Sequence, residues 1–224
     1  MKNIQQFLSQ LAQNNTREWM DANREVYQSA KKEFEDRVGE LIVAIAAHDP
    51  SVAHLRAKDA VFRLARDIRF SKDKTPYKTN FAAGIAEEGR KSAKAFYYFH
   101  FQPGNSFIAS GMYLPEREIL QKIRQEIDYN AEELLAILKQ EPLRTEFGEM
   151  DTFPEQRLKT APRGYPKDHP HIELLRKKSF ILGKPLPDAF FRQPDWIEKA
   201  AALFALTMPF NAWLNLAFVG DEME

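Results

Sequence analysis

The chain has 224 residues, 44% of them apolar and 12% aromatic, with 32 Lys and Arg balanced by 32 Asp and Glu. That composition excludes a disordered chain and suffices for a sizeable core. Zero net charge argues against a general nucleic-acid coat protein, and the lack of cysteine excludes disulfides, thiolate nucleophiles and Cys-based metal sites. No apolar run reaches the roughly eighteen residues of a membrane span. The N-terminus lacks the apolar region of a secretory signal, so the expected compartment is the cytoplasm.

Residues 1–49 read as helix. Ile4, Phe7, Leu8 and Leu11 make a short amphipathic helix ending at Asn14-Asn15. Asn15 with Glu18 three residues on resembles a capping box opening a second helix, striped by Trp19, Val26, Phe34, Val38, Leu41, Ile42 and Ile45. A break near residues 29–32 is expected, and Asp49-Pro50 stops the helix. Residues 60–113 read as antiparallel sheet, with strands at 60–66, 77–86, 95–102 and 106–113. In the third, Tyr97, Phe99 and Phe101 alternate with Phe96, Tyr98 and His100. Pro103-Gly104-Asn105 turns the last pair into a hairpin.

Pro115 opens a helix carrying Ile119, Leu120, Ile123 and Ile127, and 131–140 forms a separate one with Leu134, Leu135 and Leu138. Residues 141–170 are expected to be mostly loop and 178–182 a fifth strand. Residues 194–219 read as helix interrupted at Met208-Pro209, with Trp196, Leu203, Leu206, Trp213 and Leu216 facing inward. The fold class is α+β: an antiparallel or mixed sheet of four to five strands packed by N- and C-terminal helices. With no repeat or linker, residues 1–224 are expected to form a single domain.

Charge is unevenly spread. Residues 63–78 carry six Lys/Arg against two Asp, and residues 159–178 carry six against Asp168 and Glu173. Everything outside these two segments is therefore acidic, and two such segments meeting in space would focus an anionic ligand.

Arg63, Arg66, Arg69, Lys74 and Lys78, with Ser71 and Tyr77, form the first candidate site, since guanidinium forks suit phosphate or carboxylate. The bland alternative pairs Arg66 with Asp67 and Arg69 with Asp73 to fix a loop. Strand alternation sets Arg63 and Arg66 on opposite faces unless a bulge intervenes. Tyr98 and His100 share a sheet face and offer a phenol donor and a titratable imidazole; a satisfied, half-buried ring is the alternative. Arg163, Gly164 and Tyr165, with His169 and Lys177, make a third group in a Pro-rich loop. Asn15, Trp19, Asn23 and Tyr27 lie along one helical face and either pack the helices or reach the basic site. The His spacing supports no metal constellation, and no Walker loop, dinucleotide fingerprint or nucleophile elbow is present.

Several of these residues also carry a resemblance. Asn14-Asn15 with Trp19, Asn23 and Tyr27 is followed by Phe62-Arg63 and the unbroken block from Arg66 to Lys78. Next come Gly111-Met112-Tyr113-Leu114-Pro115, Ala161-Pro162-Arg163-Gly164-Tyr165 and Pro209-Phe210-Asn211-Ala212-Trp213-Leu214. In this order the chain resembles, over nearly its whole length, the family known as domain of unknown function 2461. The resemblance implies a single domain of soluble, mainly bacterial proteins. It carries over no catalytic residues and no cofactor.

The residues therefore point to binding of a small phosphorylated or carboxylated molecule, possibly a nucleotide, held by Arg63, Arg66, Arg69, Lys74, Lys78 and Arg163. Tyr77, Tyr98 or Tyr165 would stack on a ring. An enzyme with His100 or His169 as acid/base is the second expectation. A module for an acidic protein or single-stranded nucleic acid is the third.

Overall fold

The computed structural model of the chain describes residues 1–69, 72–150 and 157–219. Helix α1 (Lys2–Gln13) buries Ile4, Phe7, Leu8 and Leu11, the stripe read from its spacing. Helix α2 (Arg17–Ala22) is capped by Thr16, whose hydroxyl accepts from the Trp19 N–H at 3.2 Å. The expected cap at Asn15 is thereby corrected, because the amide of Asn15 is engaged elsewhere. Helix α3 (Arg24–Ala46) begins after Asn23, so the break falls there and not at 29–32. The Asn23 side chain donates to the Trp19 carbonyl at 2.8 Å and holds the corner. Phe34, Val38, Leu41, Ile42 and Ile45 are buried on α3, whereas Val26 is 46% exposed and leaves the predicted stripe.

A short helix α4 (Ala57–Ala60) precedes strand β1 (Phe81–Ile85). Strands β2 (Phe96–Phe101), β3 (Ser106–Met112) and β4 (Phe180–Leu186) complete an antiparallel sheet in the order β1-β2-β3-β4. Tyr97, Phe99 and Phe101 are buried while Phe96, Tyr98 and His100 are half-buried, as the alternation requires. The hairpin turns through Gly104 at φ +75, with the Asn105 N–H donating to the Gln102 carbonyl at 2.9 Å. Gly111 sits at φ +123, where a Cβ would stand 2.0 Å from the Phe180 carbonyl oxygen. Only glycine permits that approach of β3 to β4.

The expected strand at 60–66 is not continuous. Only isolated antiparallel bridges, Val61 to Ala83 and Ala65 to Tyr77, tie this segment to the one opposite. The predicted strand over 77–86 likewise shortens to Phe81–Ile85.

Helix α5 (Arg117–Leu138) runs through what the sequence divides into two helices, with a kink at Asn130 (φ −145, ψ 48). Its N-cap is Glu116, so Pro115 precedes the helix and does not open it. Helix α6 (Glu141–Phe147) replaces part of the expected loop and buries Leu143 and Phe147. Helix α7 (Ile172–Leu175), α8 (Trp196–Leu206) and α9 (Met208–Asn215) follow, the last two separated at Thr207 close to the expected interruption. Leu216, expected inside, is 39% exposed.

The chain divides into two compact units. The first comprises Met1–Lys91, Tyr98–Ile108 and Pro185–Ala202. Its core is a run of aromatic contacts: Phe7 to Phe81 (6.0 Å), Phe81 to Phe34 (5.2 Å), Phe34 to Phe99 (5.6 Å) and Phe99 to Trp196 (5.7 Å). The second comprises Ser92–Tyr97, Ala109–Lys184 and Leu203–Glu224. Among its buried residues are Ile123, Ile127, Leu134, Phe180, Phe204, Phe210 and Leu214. The hydroxyls of Ser110 and Thr207 meet there at 2.7 Å. No single described helix is long and apolar enough to cross a membrane.

Candidate functional site

The segment 63–78 lies in the first unit, and much of its charge is consumed locally. Arg66 pairs with Asp73 and also donates to the Thr75 hydroxyl at 3.2 Å. Arg69 pairs with Asp67 through two bonds of 2.9 and 2.6 Å. These pairings exchange the partners expected from adjacency. Lys74 donates to the Ile68 carbonyl at 3.0 Å. The guanidinium beside Asp67, and the Thr75 backbone and hydroxyl donors beside Asp73, hold both carboxyls below their ordinary range. Ser71 lies outside the described residues. Among the described residues, Arg66, Arg69 and Lys74 are thus held within the loop itself.

The return of this loop is anchored by Asn15. Its side chain donates to the Tyr77 carbonyl at 2.9 Å and accepts from the Tyr77 N–H at 3.1 Å, as a neighbouring strand would. Past Tyr77 the pairing slips. Val61 faces Ala83 and Ala65 faces Tyr77, so residues 78–82 lie opposite 62–64. The Phe62 N–H donates to the Ala82 carbonyl and the Lys78 N–H to the Leu64 carbonyl, each at 2.9 Å. Two surplus residues make a wide bulge with bends at Thr79 and Asn80, and the opposite chain bends at Leu64.

The bulge explains the polar network on the half-buried sheet face. The Asn80 amide approaches His100 Nδ1 at 3.5 Å, and Gln102 donates to the Thr79 hydroxyl at 3.4 Å. Tyr98 Oη lies 3.3 Å from the same Nδ1, and His100 Nε2 lies 3.2 Å from Gln102 Oε1. The consistent assignment is a neutral imidazole carrying its proton on Nε2, donating to Gln102 and accepting at Nδ1. Burial, and then the charge of Lys78, lower the His100 pKa, which favours this neutral form. The ring stacks on Phe107 at 4.5 Å. Tyr98 lies 6.1 Å from Phe62 and 5.7 Å from Phe107, and burial pushes its phenol up.

Lys78 is half-buried, its Nζ 5.8 Å from the centroid of Phe62. Burial lowers its pKa, and the positive charges of Arg63 and Arg66 lower it further.

Phe62 also lines an open groove of about 510 Å³, together with Tyr27, Lys31, Glu35, Lys58, Val61, Arg63, Arg90 and Lys91. Five cations meet one carboxylate there. Glu35 is taken by Lys31 at 3.4 Å, while Arg90 donates to the carbonyls of Lys58 and Asp59 at 2.9 and 2.8 Å. Lys58, Arg63 and Lys91 have no carboxylate partner among the described residues. Burial pushes the Tyr27 phenol up, leaving it a neutral donor on the groove wall. Gly89 seats this edge: at φ +67, a Cβ would lie 2.6 Å from the Asp59 carbonyl oxygen. A second concavity of about 370 Å³ on α3 differs in charge. Its Lys32 and Arg37 are paired with Asp36 and Glu40.

Arg163, Tyr165 and His169 belong to the second unit, as does the whole of residues 159–178. Arg163 is exposed beside Gly164 at φ +94. Burial, and then the charge of Asp128, push the Tyr165 phenol up. His169 lies with Nε2 2.9 Å from Asp128 Oδ1, and its Nδ1 accepts the His171 N–H at 3.1 Å. Both ring nitrogens are engaged. No group of three His, Asp or Glu side chains converges as metal ligands among the described residues.

Sequence reasoning missed Lys58, Arg90 and Lys91, which lie outside the basic segments. The run Gly89-Arg90-Lys91 is a weak signal that becomes meaningful only beside α4. It also missed Thr79, Asn80 and Gln102, whose polar side chains give no sign in isolation that they converge on one histidine.

No curated protein and no solved structure matches the chain. A family model described as "Conserved hypothetical protein (DUF2461)" matches residues 3–213, and the chain belongs to that family.

Proposed function

We propose that the protein binds a small anionic molecule, phosphorylated or carboxylated and of about nucleotide size, in the basic groove of its first unit. One observation carries this: five cations face one carboxylate in the groove, and Lys58, Arg63 and Lys91 lack counter-ions among the described residues. Like charges gathered on a partly desolvated surface repel one another, and an anion relieves that repulsion. The volume of about 510 Å³ suits a ligand of this size, and Tyr27 and Phe62 supply ring faces and a phenol donor. The α3 concavity, with its cations neutralised, gives no such reason to hold an anion.

The test is thermal unfolding with inorganic phosphate, pyrophosphate and nucleoside monophosphates. A ligand at a hundred times its dissociation constant stabilises by about 2.7 kcal/mol. The double variant Arg63→Ala/Lys91→Ala is expected to abolish the shift, and Lys32→Ala/Arg37→Ala to retain it. No shift with any small anion would overturn the proposal. Salt-sensitive binding of single-stranded oligonucleotides alone would replace it with an interaction module.

A further inference from the structure

We propose that Lys78 is a nucleophilic amine that condenses with the carbonyl carbon of an anionic aldehyde or ketone, whose acid group is held by Arg63. The inference deepens the anion-site reading above and rests on it.

Among the lysines around the basic groove and the 63–78 loop, Lys78 stands apart. Lys58, Lys72 and Lys91 are exposed, Lys74 is spent on the Ile68 carbonyl and Lys31 is paired with Glu35. Lys78 alone is half-buried against an aromatic face with no carboxylate of the described residues within ion-pairing distance. Its backbone is fixed by the bond to Leu64 at the last paired position before the bulge, so its stem starts from a defined point.

A lysine in this setting loses its proton more readily than one in water. Water is withdrawn from the ammonium, and two guanidinium groups oppose its charge. The Arg63 guanidinium, which has no carboxylate partner among the described residues, attracts the acid group of a substrate and brings its carbonyl to the amine. Tyr98 and the neutral His100 line the adjoining face, held in place by their bonds to each other, to Asn80 and to Gln102.

The chemistry balances without a further reagent. The Nζ lone pair attacks the carbonyl carbon, giving a carbinolamine. The carbonyl oxygen then departs as water, taking both amine protons, and a C=N bond remains. The anionic substituent stays ion-paired to Arg63.

The experiment is reductive trapping on the full-length protein. Pyridoxal phosphate serves as an anionic aldehyde probe and pyruvate as an anionic ketone, each with sodium borohydride, followed by peptide mass spectrometry. Modification is expected at Lys78 several-fold above exposed Lys72, and inorganic phosphate should suppress it. Lys78→Arg keeps the positive charge, so it should retain the phosphate-dependent thermal shift while losing the trapped adduct. Should Lys78→Arg fold poorly, suppression of Lys78 labelling by phosphate in the unsubstituted protein tests the same amine. Labelling spread evenly over exposed lysines, with the phosphate shift intact, would overturn the nucleophile and leave the anion site standing. Even labelling that phosphate does not suppress, with no thermal shift, would overturn both.

Discussion

Asn15 is the point at which the N-terminal helices hold the basic loop, and replacing it tests that coupling. Asn15→Ala removes two hydrogen bonds at once, to the carbonyl and the N–H of Tyr77, at 2.9 and 3.1 Å. Each such bond contributes a net of about 0.5–1.5 kcal/mol. Both are only partly buried, so water partly replaces the lost partner, and the expected loss is about 2 kcal/mol. For a chain of this size that lowers the unfolding midpoint by roughly 4–8 °C. Asn15→Asp separates the two bonds: the acceptor remains for the Tyr77 N–H, but a carboxylate oxygen replaces the donor facing the Tyr77 carbonyl. It should cost at least as much as alanine. Because Lys78 follows Tyr77 directly, phosphate affinity should weaken in both variants beyond the change in midpoint. Calorimetric unfolding together with phosphate titration reads both effects. If both substitutions shift the midpoint by less than about 1 °C, the strand-like clamp contributes nothing to stability and the reasoning fails.

Three further outcomes follow from other parts of the molecule. Gly111→Ala combines a backbone region costing about 1–3 kcal/mol with a methyl forced against the Phe180 carbonyl, so a loss of about 3–5 kcal/mol in urea unfolding is expected; a loss below about 1 kcal/mol would show that β3 and β4 separate freely. Leu114 has φ 46, a left-handed conformation costing most residues about 1–2 kcal/mol, and its side chain is 48% exposed. Leu114→Asn should therefore stabilise by about 0.5–1 kcal/mol, and a destabilised variant would mean that the leucine side chain contributes more than its strain. His100 is held neutral, its folded pKa below the ordinary 6.5, so the unfolded chain binds the extra proton first as pH falls. Its contribution is complete above about pH 6.5 and is lost progressively below it, so His100→Gln should flatten the pH dependence of stability between about pH 6.5 and 5. An unchanged slope would place the imidazole in water.

Where periodicity and local chemistry are decisive, the sequence by itself determines a good deal of this protein. The stripes of α1 and α3, the two faces of β2 and the turn at Gly104 follow from repeat lengths and φ preferences acting within a few residues. The α+β class follows from them, as does the block 63–78 as a place of concentrated charge. Tertiary structure decided what that charge does. Arg66 and Arg69 could each reach either neighbouring aspartate by sequence distance, and only the path of the loop selects Asp73 for one and Asp67 for the other. A bulge cannot be read from one strand, because it is a mismatch in count between two. Only the pairing of 61–65 with 77–83 shows that Thr79 and Asn80 are surplus and turn toward Gln102 and His100. The groove itself collects Lys58, Arg63 and Lys91 from segments that share no motif, since electrostatic potential depends on distances in space and not along the chain.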